Sequence, residues 1–316
     1  MRACDRILEK KWGVFTHYLE FNVNRAENPQ NQGVGVTSWN DCVNAIDVKR
    51  LADSVAATGA GYFVITVMQG IRWMLAPNAA YDEIAGTKPG EACAERDVIM
   101  ELADELEARG VDLFLYFTGD GPDDDPEIGP KFGAFVDDEP KYKQITMSFV
   151  EKWARVLREY SLRYGTKVKG WWIDGCYRQL FGYNDRLLKP LYEAAKAGNP
   201  DSLVALNDGV WWEHRKNYPG EEMVCGEFDY FNVLPKSRFI DGAQAFNLSP
   251  LGRTWAEVDV RYSPEYLYHF ISCANEIGGV VTVEVAICRD GSIWPEQLDT
   301  LIKVGKLMKK DIARDF

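Results

Sequence analysis

An α/β fold, a single (β/α)8 barrel over residues 1–316 that is irregular around strands 5 to 7, is the architecture this sequence predicts. Three observations lead to it. Eight apolar runs rich in β-branched and aromatic residues alternate with amphipathic stretches, the pattern of a parallel sheet covered by helices. No Gly-x-Gly-x-x-Gly turn follows the first run, as a doubly wound nucleotide-binding sheet would require. Neither an internal repeat nor a linker-like segment interrupts the chain, so its length suits one barrel domain.

The expected strands are 12–18, 62–68, 111–117, 168–174, 203–207, 223–228, 243–248 and 280–286. Expected helices cover 44–58, 95–109, 142–164, 184–197, 264–277 and 295–309, and their starts carry entry signals such as Ser263-Pro264-Glu265. Connections between strands 5, 6 and 7 read mostly as loop. Insertions at 21–36 and 120–138 fall on the barrel's C-terminal face, where long loops shape a pocket, although an acidic run such as Asp123-Asp124-Asp125 is ordinarily just solvated.

A net charge of −12 and a pI near 4.9 argue against a nucleic-acid surface, because phosphate binding needs clustered Lys and Arg. Residues 1–11 lack the apolar core of a signal peptide, and no stretch reaches the roughly 18 apolar residues of a membrane span. A cytoplasmic protein is therefore expected. Seven scattered cysteines without a CxxC pair, beside only three histidines, suggest reduced thiols and neither a disulfide framework nor a metal site. No cofactor is expected. The aromatic content of 13% suits either a large core or a carbohydrate partner stacking on exposed rings, and a homo-oligomer stays open.

Reactive groups of a barrel sit where its strands end. Here those ends carry His17, Gln69, Tyr116, Asp174, Asn207 with Asp208, Glu227, Asn247 and Glu284, a carboxylate-rich set. Asp174 follows Trp171, Trp172 and Ile173, so an acid is held on an apolar strand, where an isolated carboxylate is costly unless it serves. Glu227 ends the run two strands on and would face Asp174, the carboxylate pairing that glycosidic cleavage requires. Glu221, Glu222 and Glu284 compete with it as general acid, and spacing leaves retention and inversion of configuration both open. Trp73, Arg253, Trp255 and Arg289 lie near strand ends and are further contact candidates.

At these positions the chain resembles the α-L-fucosidases of glycoside hydrolase family 29, over about residues 11–309 and without the family's C-terminal β-sandwich. Trp12-Gly13-Val14-Phe15-Thr16-His17 is similar to the family's FGIFIHWG, and Ala60-Gly61-Tyr62-Phe63-Val64-Ile65-Thr66 to its GAKYVVLT. Trp171-Trp172-Ile173-Asp174-Gly175 resembles WFDG, Asn207-Asp208 resembles NDR, and the stretch from Gly278-Gly279 to Asp290-Gly291 resembles GGNLLLNIGPDADG. The resemblance implies a retaining glycosidase with Asp174 as nucleophile and His17 on the sugar, with Glu227 carried over as acid and base; Gln69, Trp73, Tyr116, Trp172, Asn207, Arg253, Trp255 and Glu284 are expected around the sugar from their places near strand ends. Where the family has His-His-Asp this chain reads Val67-Met68-Gln69-Gly70-Ile71-Arg72-Trp73, Gln244 lies where the family has Trp-Glu, and Glu284 replaces the family's Asn. Those departures point to a sugar other than plain fucose, or one held differently. Two other readings are a non-hydrolytic sugar or sugar-acid enzyme on the same scaffold and a sugar-binding barrel without chemistry.

Overall fold

The computed structural model describes residues 3–134 and 144–312, with side chains up to residue 310. Its strands are β1 (Trp12–Thr16), β2 (Tyr62–Thr66), β3 (Asp112–Thr118), β4 (Val168–Asp174), β5 (Leu203–Leu206), β6 (Phe239–Ile240), β7 (Ala243–Gln244), β8 (Phe246–Pro250) and β9 (Val280–Val285). Seven of them form one curled, wholly parallel sheet in the order β5-β4-β3-β2-β1-β9-β8, while β6 and β7 make a small antiparallel hairpin.

Because strand side chains alternate, each run supplies two cores. Phe15, Tyr62, Val64, Phe114, Tyr116, Trp172, Ala205 and Leu248 fill the inside of the curl. Val14, Phe63, Leu115, Trp171, Ile173 and Val283 face the helices. The inner layer is crowded enough to need glycines: a Cβ on Gly13 would lie 2.2 Å from the Tyr62 ring, and one on Gly170 would lie 2.1 Å from Phe114. A helix that sequence periodicity had not indicated, Ala3–Lys10, adds Ile7 to this inner core and is tied down by Asp5 to Arg238 and Arg6 to Asp112.

Helix Pro264–Ile277 has the expected bounds, with Ser263 accepting from the Tyr266 amide. Helix 44–58 is two helices, Trp39–Ala45 and Val48–Thr58, because Asp47 caps the second and its own amide bonds to the Asp290 carbonyl. Val98–Glu107, Met147–Tyr164, Asp185–Lys196 and Pro295–Ile312 match the other expected helices, and the short helices Glu20–Val23, Ala79–Ala85, Gly129–Phe132 and Arg178–Phe181 were not expected. The expected start at 142 and the end of the second insertion lie outside the described residues.

Strands 6 and 7 correct the expectation. Run 243–248 divides: its first two residues join the hairpin, and β8 begins at Phe246. Run 223–228 is not a strand; it meets its neighbours through isolated bridges, Met223 with Gln244 and Glu227 with Leu248. The physical reason lies in Gly226, whose φ of +54° breaks the extended backbone and whose Cβ, if present, would sit 1.6 Å from the Phe246 carbonyl oxygen. On the other side, the free edge of β5 bonds to carboxylates in place of a strand: the Val204 amide donates to Glu222 at 3.2 Å and the Leu206 amide to Glu221 at 3.1 Å. Among the described residues the seven-stranded curl is thus observed, and an eight-stranded ladder is not.

Two outcomes follow for stability. Gly226→Ala should cost about 3 kcal/mol or more, combining left-handed backbone strain with a backbone collision, and urea unfolding at unchanged m-value measures it. Glu221 is only 2% exposed, and burial pushes its carboxyl from 4.5 up to about 8 although the Asn217 and Leu206 amides favour its ionised form. Between those two values the folded chain keeps a proton that the unfolded chain releases, so this contribution is complete below about pH 4.5 and is lost as pH rises through 8. Glu221→Gln should reduce the fall in unfolding free energy between about pH 5 and 8 by up to roughly 1.4 kcal/mol per pH unit, and an unaltered slope would refute this assignment.

Candidate active site

Inward positions at the strand ends converge on one cavity. Two residues beyond Phe15 the inner face carries His17, two beyond Trp172 it carries Asp174, and two beyond Ala205 it carries Asn207. The cavity opens to solvent and has a volume of about 190 Å³. His17, Gln69, Tyr116, Trp172, Asp174, Glu227 and Trp255 line it, together with Phe15, Leu19, Phe21, Asn22, Leu248 and Ala256.

Asp174 is held by three donors. The Tyr116 hydroxyl donates to Oδ2 at 2.6 Å, while the Tyr177 hydroxyl at 3.1 Å and the Asn207 Nδ2 at 2.7 Å both donate to Oδ1. Burial and the neighbouring Asp174 charge raise both tyrosines, so they remain donors at neutral pH. The same Asn207 nitrogen donates to Glu227 Oε2 at 2.5 Å. Its amide orientation follows from the other end, where Oδ1 accepts from the Gly209 amide at 3.1 Å. One nitrogen therefore bridges the two carboxyl groups and keeps their bonded oxygens within about 5.2 Å of each other.

The two acids differ in environment. Among the described residues Glu227 has no cationic partner, and burial first, then the charge of Asp174, pushes it up to about 8. Asp174 accepts three hydrogen bonds. A buried carboxyl raised in this way is protonated near neutral pH and can serve as an acid.

His17 gives its Nδ1 to Glu284 at 3.0 Å; Glu284, 1% exposed, also accepts the Ala256 amide at 2.9 Å. Trp255 meets His17 edge to face at 5.8 Å. Its loop is pinned from the first insertion, where Gln30 donates to the Ala256 carbonyl and Phe21 and Asn22 join the cavity wall. Glu284 thus stands behind His17 and does not line the cavity.

Other candidates lie elsewhere. The Arg253 side chain is 77% exposed and pairs with Asp259 at 2.8 Å. Trp73 packs near Trp39, with ring centroids 6.3 Å apart, against the outer core. Glu221 and Glu222 serve the β5 edge, Glu222 also pairing with Lys196 at 2.8 Å. Arg289 donates to Asn24, Asn247 accepts from the His214 Nε2, and Gln244 donates to the Gly278 carbonyl. The acidic run is partly internal: Asp125 is buried and binds Arg72 through two nitrogens at 2.7 and 2.8 Å.

Sequence reasoning missed Tyr177 and Asp120. Tyr177 lies three residues past Asp174 in a loop, where no periodicity marks it. Asp120 begins the second insertion, and its carboxyl is pushed well up by burial, then by Asp123 and Asp174. A Cβ on Asp174's neighbour Gly175, at φ +67°, would approach that carboxyl to 2.6 Å. No group of three or more His, Cys, Asp or Glu among the described residues is arranged to hold a metal ion, and no helix among them is long and apolar enough to cross a membrane.

Neither a protein-family model nor a curated protein matches the sequence. Solved structures do. The α-L-fucosidase isoenzyme 1 from Paenibacillus thiaminolyticus is 19% identical with a TM-score of 0.70, over 97% of this chain and 75% of that one. α-L-fucosidase AlfC, solved with Fuca(1,6)GlcNAc, is 15% identical with a TM-score of 0.67 over 99% of both chains. The endo-fucoidan hydrolase MfFcnA4 from glycoside hydrolase family 107 is 12% identical at 0.70, over 97% of this chain and 54% of that one. A family 29 α-L-fucosidase from Bacteroides thetaiotaomicron is 17% identical at 0.66. The fold resemblance expected from the motifs is borne out: this is a divergent chain with the fold of fucosidase-type catalytic domains.

Proposed function

We propose that this chain is a retaining glycoside hydrolase acting on an α-L-fucoside-like substrate. The observation that carries the proposal is the Asn207 nitrogen shared by Asp174 and Glu227 on the wall of the cavity. Retaining enzymes hold their carboxyl groups about 5 to 5.5 Å apart and inverting ones about 6.5 to 9.5 Å, so a single bridging nitrogen supports retention.

In the first step an Asp174 oxygen attacks the anomeric carbon, the bond to the leaving oxygen breaks, and that oxygen takes the proton of Glu227. In the second, Glu227 as a carboxylate removes a proton from water, and the water oxygen displaces Asp174 from the anomeric carbon. The enzyme returns to its starting state. Tyr116, Tyr177 and Asn207 hold Asp174 in place, and Gln69, His17 and Trp255 are available to the sugar. With Gln69 standing where the family resemblance has paired histidines, the glycone is recognised by a different set of contacts.

Within this reading the 223–228 segment takes the sixth position of the barrel wall through its isolated bridges, without forming a strand, and the whole chain is one catalytic domain. Cytoplasmic location is part of the same proposal, supported by seven free thiols, as is a carbohydrate partner and no nucleic acid or membrane surface. Proton NMR of the first-formed sugar from a panel of aryl glycosides, α-L-fucoside included, tests the function. The anomeric configuration should be retained. An inverted first product, a product of unchanged mass, or binding without turnover across the panel would each replace this reading with another.

A further inference from the structure

β9 lies between β1 and β8, and Glu284 on it stands beside Phe15 on one side and Pro250 on the other. Two residues past Phe15 comes His17, and β8 runs on into the loop that carries Trp255. From that place a single side chain reaches both parts of the cavity wall. Its Oε1 meets the His17 Nδ1 at 3.0 Å and accepts the Ala256 amide at 2.9 Å, while Oε2 is buried with no hydrogen-bond partner among the described residues. We propose that Glu284 is a positioning residue for ligand recognition. Through one oxygen it fixes the tautomer of His17, so that Nε2 opens on the cavity as an acceptor, and it locks the strap that carries Trp255.

The tautomer follows from what Oε1 already does. An oxygen that takes an amide hydrogen, and whose twin has no partner, meets the ring as an acceptor too, so Nδ1 carries the hydrogen. In a neutral imidazole the other nitrogen is then bare. No group among the described residues bonds Nε2, and His17 lines the cavity. The sugar edge beside His17 must therefore bring a hydroxyl that donates, and a site built to take that hydrogen discriminates against a sugar lacking it.

The strap needs the same oxygen. Ala256 has φ +59°, a left-handed conformation that an L residue keeps only where its surroundings impose it. Its amide is held by Glu284 and its carbonyl by the Gln30 Nε2 at 2.9 Å, and the Gln30 carbonyl in turn accepts the Arg289 amide at 2.8 Å. Farther along, Gln297 donates to the Glu257 and Asp259 carbonyls at 2.8 and 2.7 Å. Trp255, next to the strained residue, meets His17 edge to face at 5.8 Å. Loss of the Glu284 carboxyl should release the ring and the strap together.

Nitrogen-15 NMR of the histidine side chains in the full chain at pH 8 reads the tautomer directly, with only His17, His214 and His269 to tell apart. His17, assigned by its loss in His17→Asn, should carry hydrogen on Nδ1 and none on Nε2. Glu284→Gln, which keeps an acceptor oxygen in place, should retain that tautomer. Glu284→Leu should move His17 to the Nε2–H form and shift or broaden the fluorine signal of Trp255 in chain labelled with 5-fluorotryptophan. On an aryl glycoside turned over by the wild-type chain, Glu284→Leu should raise KM about tenfold with kcat changed less than about threefold, and Glu284→Gln should recover most of the loss. Hydrogen on the wild-type Nε2 overturns the proposal by itself, even if neither variant folds. So does an unchanged tautomer or Trp255 signal in Glu284→Leu, or a loss confined to kcat. The NMR result does not depend on turnover: a chain that hydrolyses no glycoside loses the hydrolase reading alone, and one that hydrolyses with His17 in the Nε2–H form loses only the role given to Glu284.

Discussion

Asp174→Ala should lower turnover of an activated aryl glycoside on the order of 10⁴-fold or more, equivalent to about 5.4 kcal/mol of transition-state stabilisation. The expectation follows from the site. Among the described residues on the cavity wall, Asp174 is the carboxyl group whose two oxygens together accept three hydrogen bonds, and those donors aim it. Removing it also removes the second cause of the raised Glu227 titration, so that Glu227 should ionise at a lower pH in the variant. Steady-state kinetics give the first effect, and carboxyl infrared or NMR titration gives the second. Activity within tenfold of wild type in Asp174→Ala would remove the nucleophile assignment.

Glu227 carries the next largest effect. As the group that protonates the leaving oxygen it must be protonated to act, so the rate should fall as pH rises through about 8. Glu227→Ala should lose about 10² to 10⁴-fold on substrates with poor leaving groups and far less on dinitrophenyl glycosides, which depart unaided. Added azide should restore turnover by attacking the sugar from the vacated side, yielding a glycosyl azide of retained configuration. Glu227→Gln should abolish the alkaline limb near pH 8. Equal losses on good and poor leaving groups, or an unchanged alkaline limb, would shift the acid role to another residue.

How much of this was legible beforehand depends on the kind of signal. Asp174 was readable because an acid closing the apolar run Trp171-Trp172-Ile173 is improbable unless it is used, and the inward alternation that aims it is the alternation that aims Trp172. His17 and Tyr116 were readable in the same way. Arg253 and Trp73 carried no such signal; proximity to a strand end nominated both, and one faces solvent while the other packs on the outer core. Tyr177 and Asp120 were invisible because loop residues obey no period, and only folding brings each beside Asp174.

Local sequence determined the parallel curl, its two-faced strands, most of its helices and the acid at the end of β4. These depend on periodicities of two and 3.6 residues and on caps, all of which act between near neighbours. Tertiary structure alone decided the rest. Glu221 and Glu222 were competitors for catalysis on sequence grounds, yet their carboxylates accept the edge amides of β5, a pairing set by burial and distance across the chain. Gly226 turns the sixth run out of a strand because a carbonyl from β8 occupies the space a side chain would need. The shared nitrogen of Asn207, on which the pairing of Asp174 with Glu227 rests, joins positions 33 and 20 residues away from it. No local pattern records such contacts, since their energy depends on what the completed fold has removed from water.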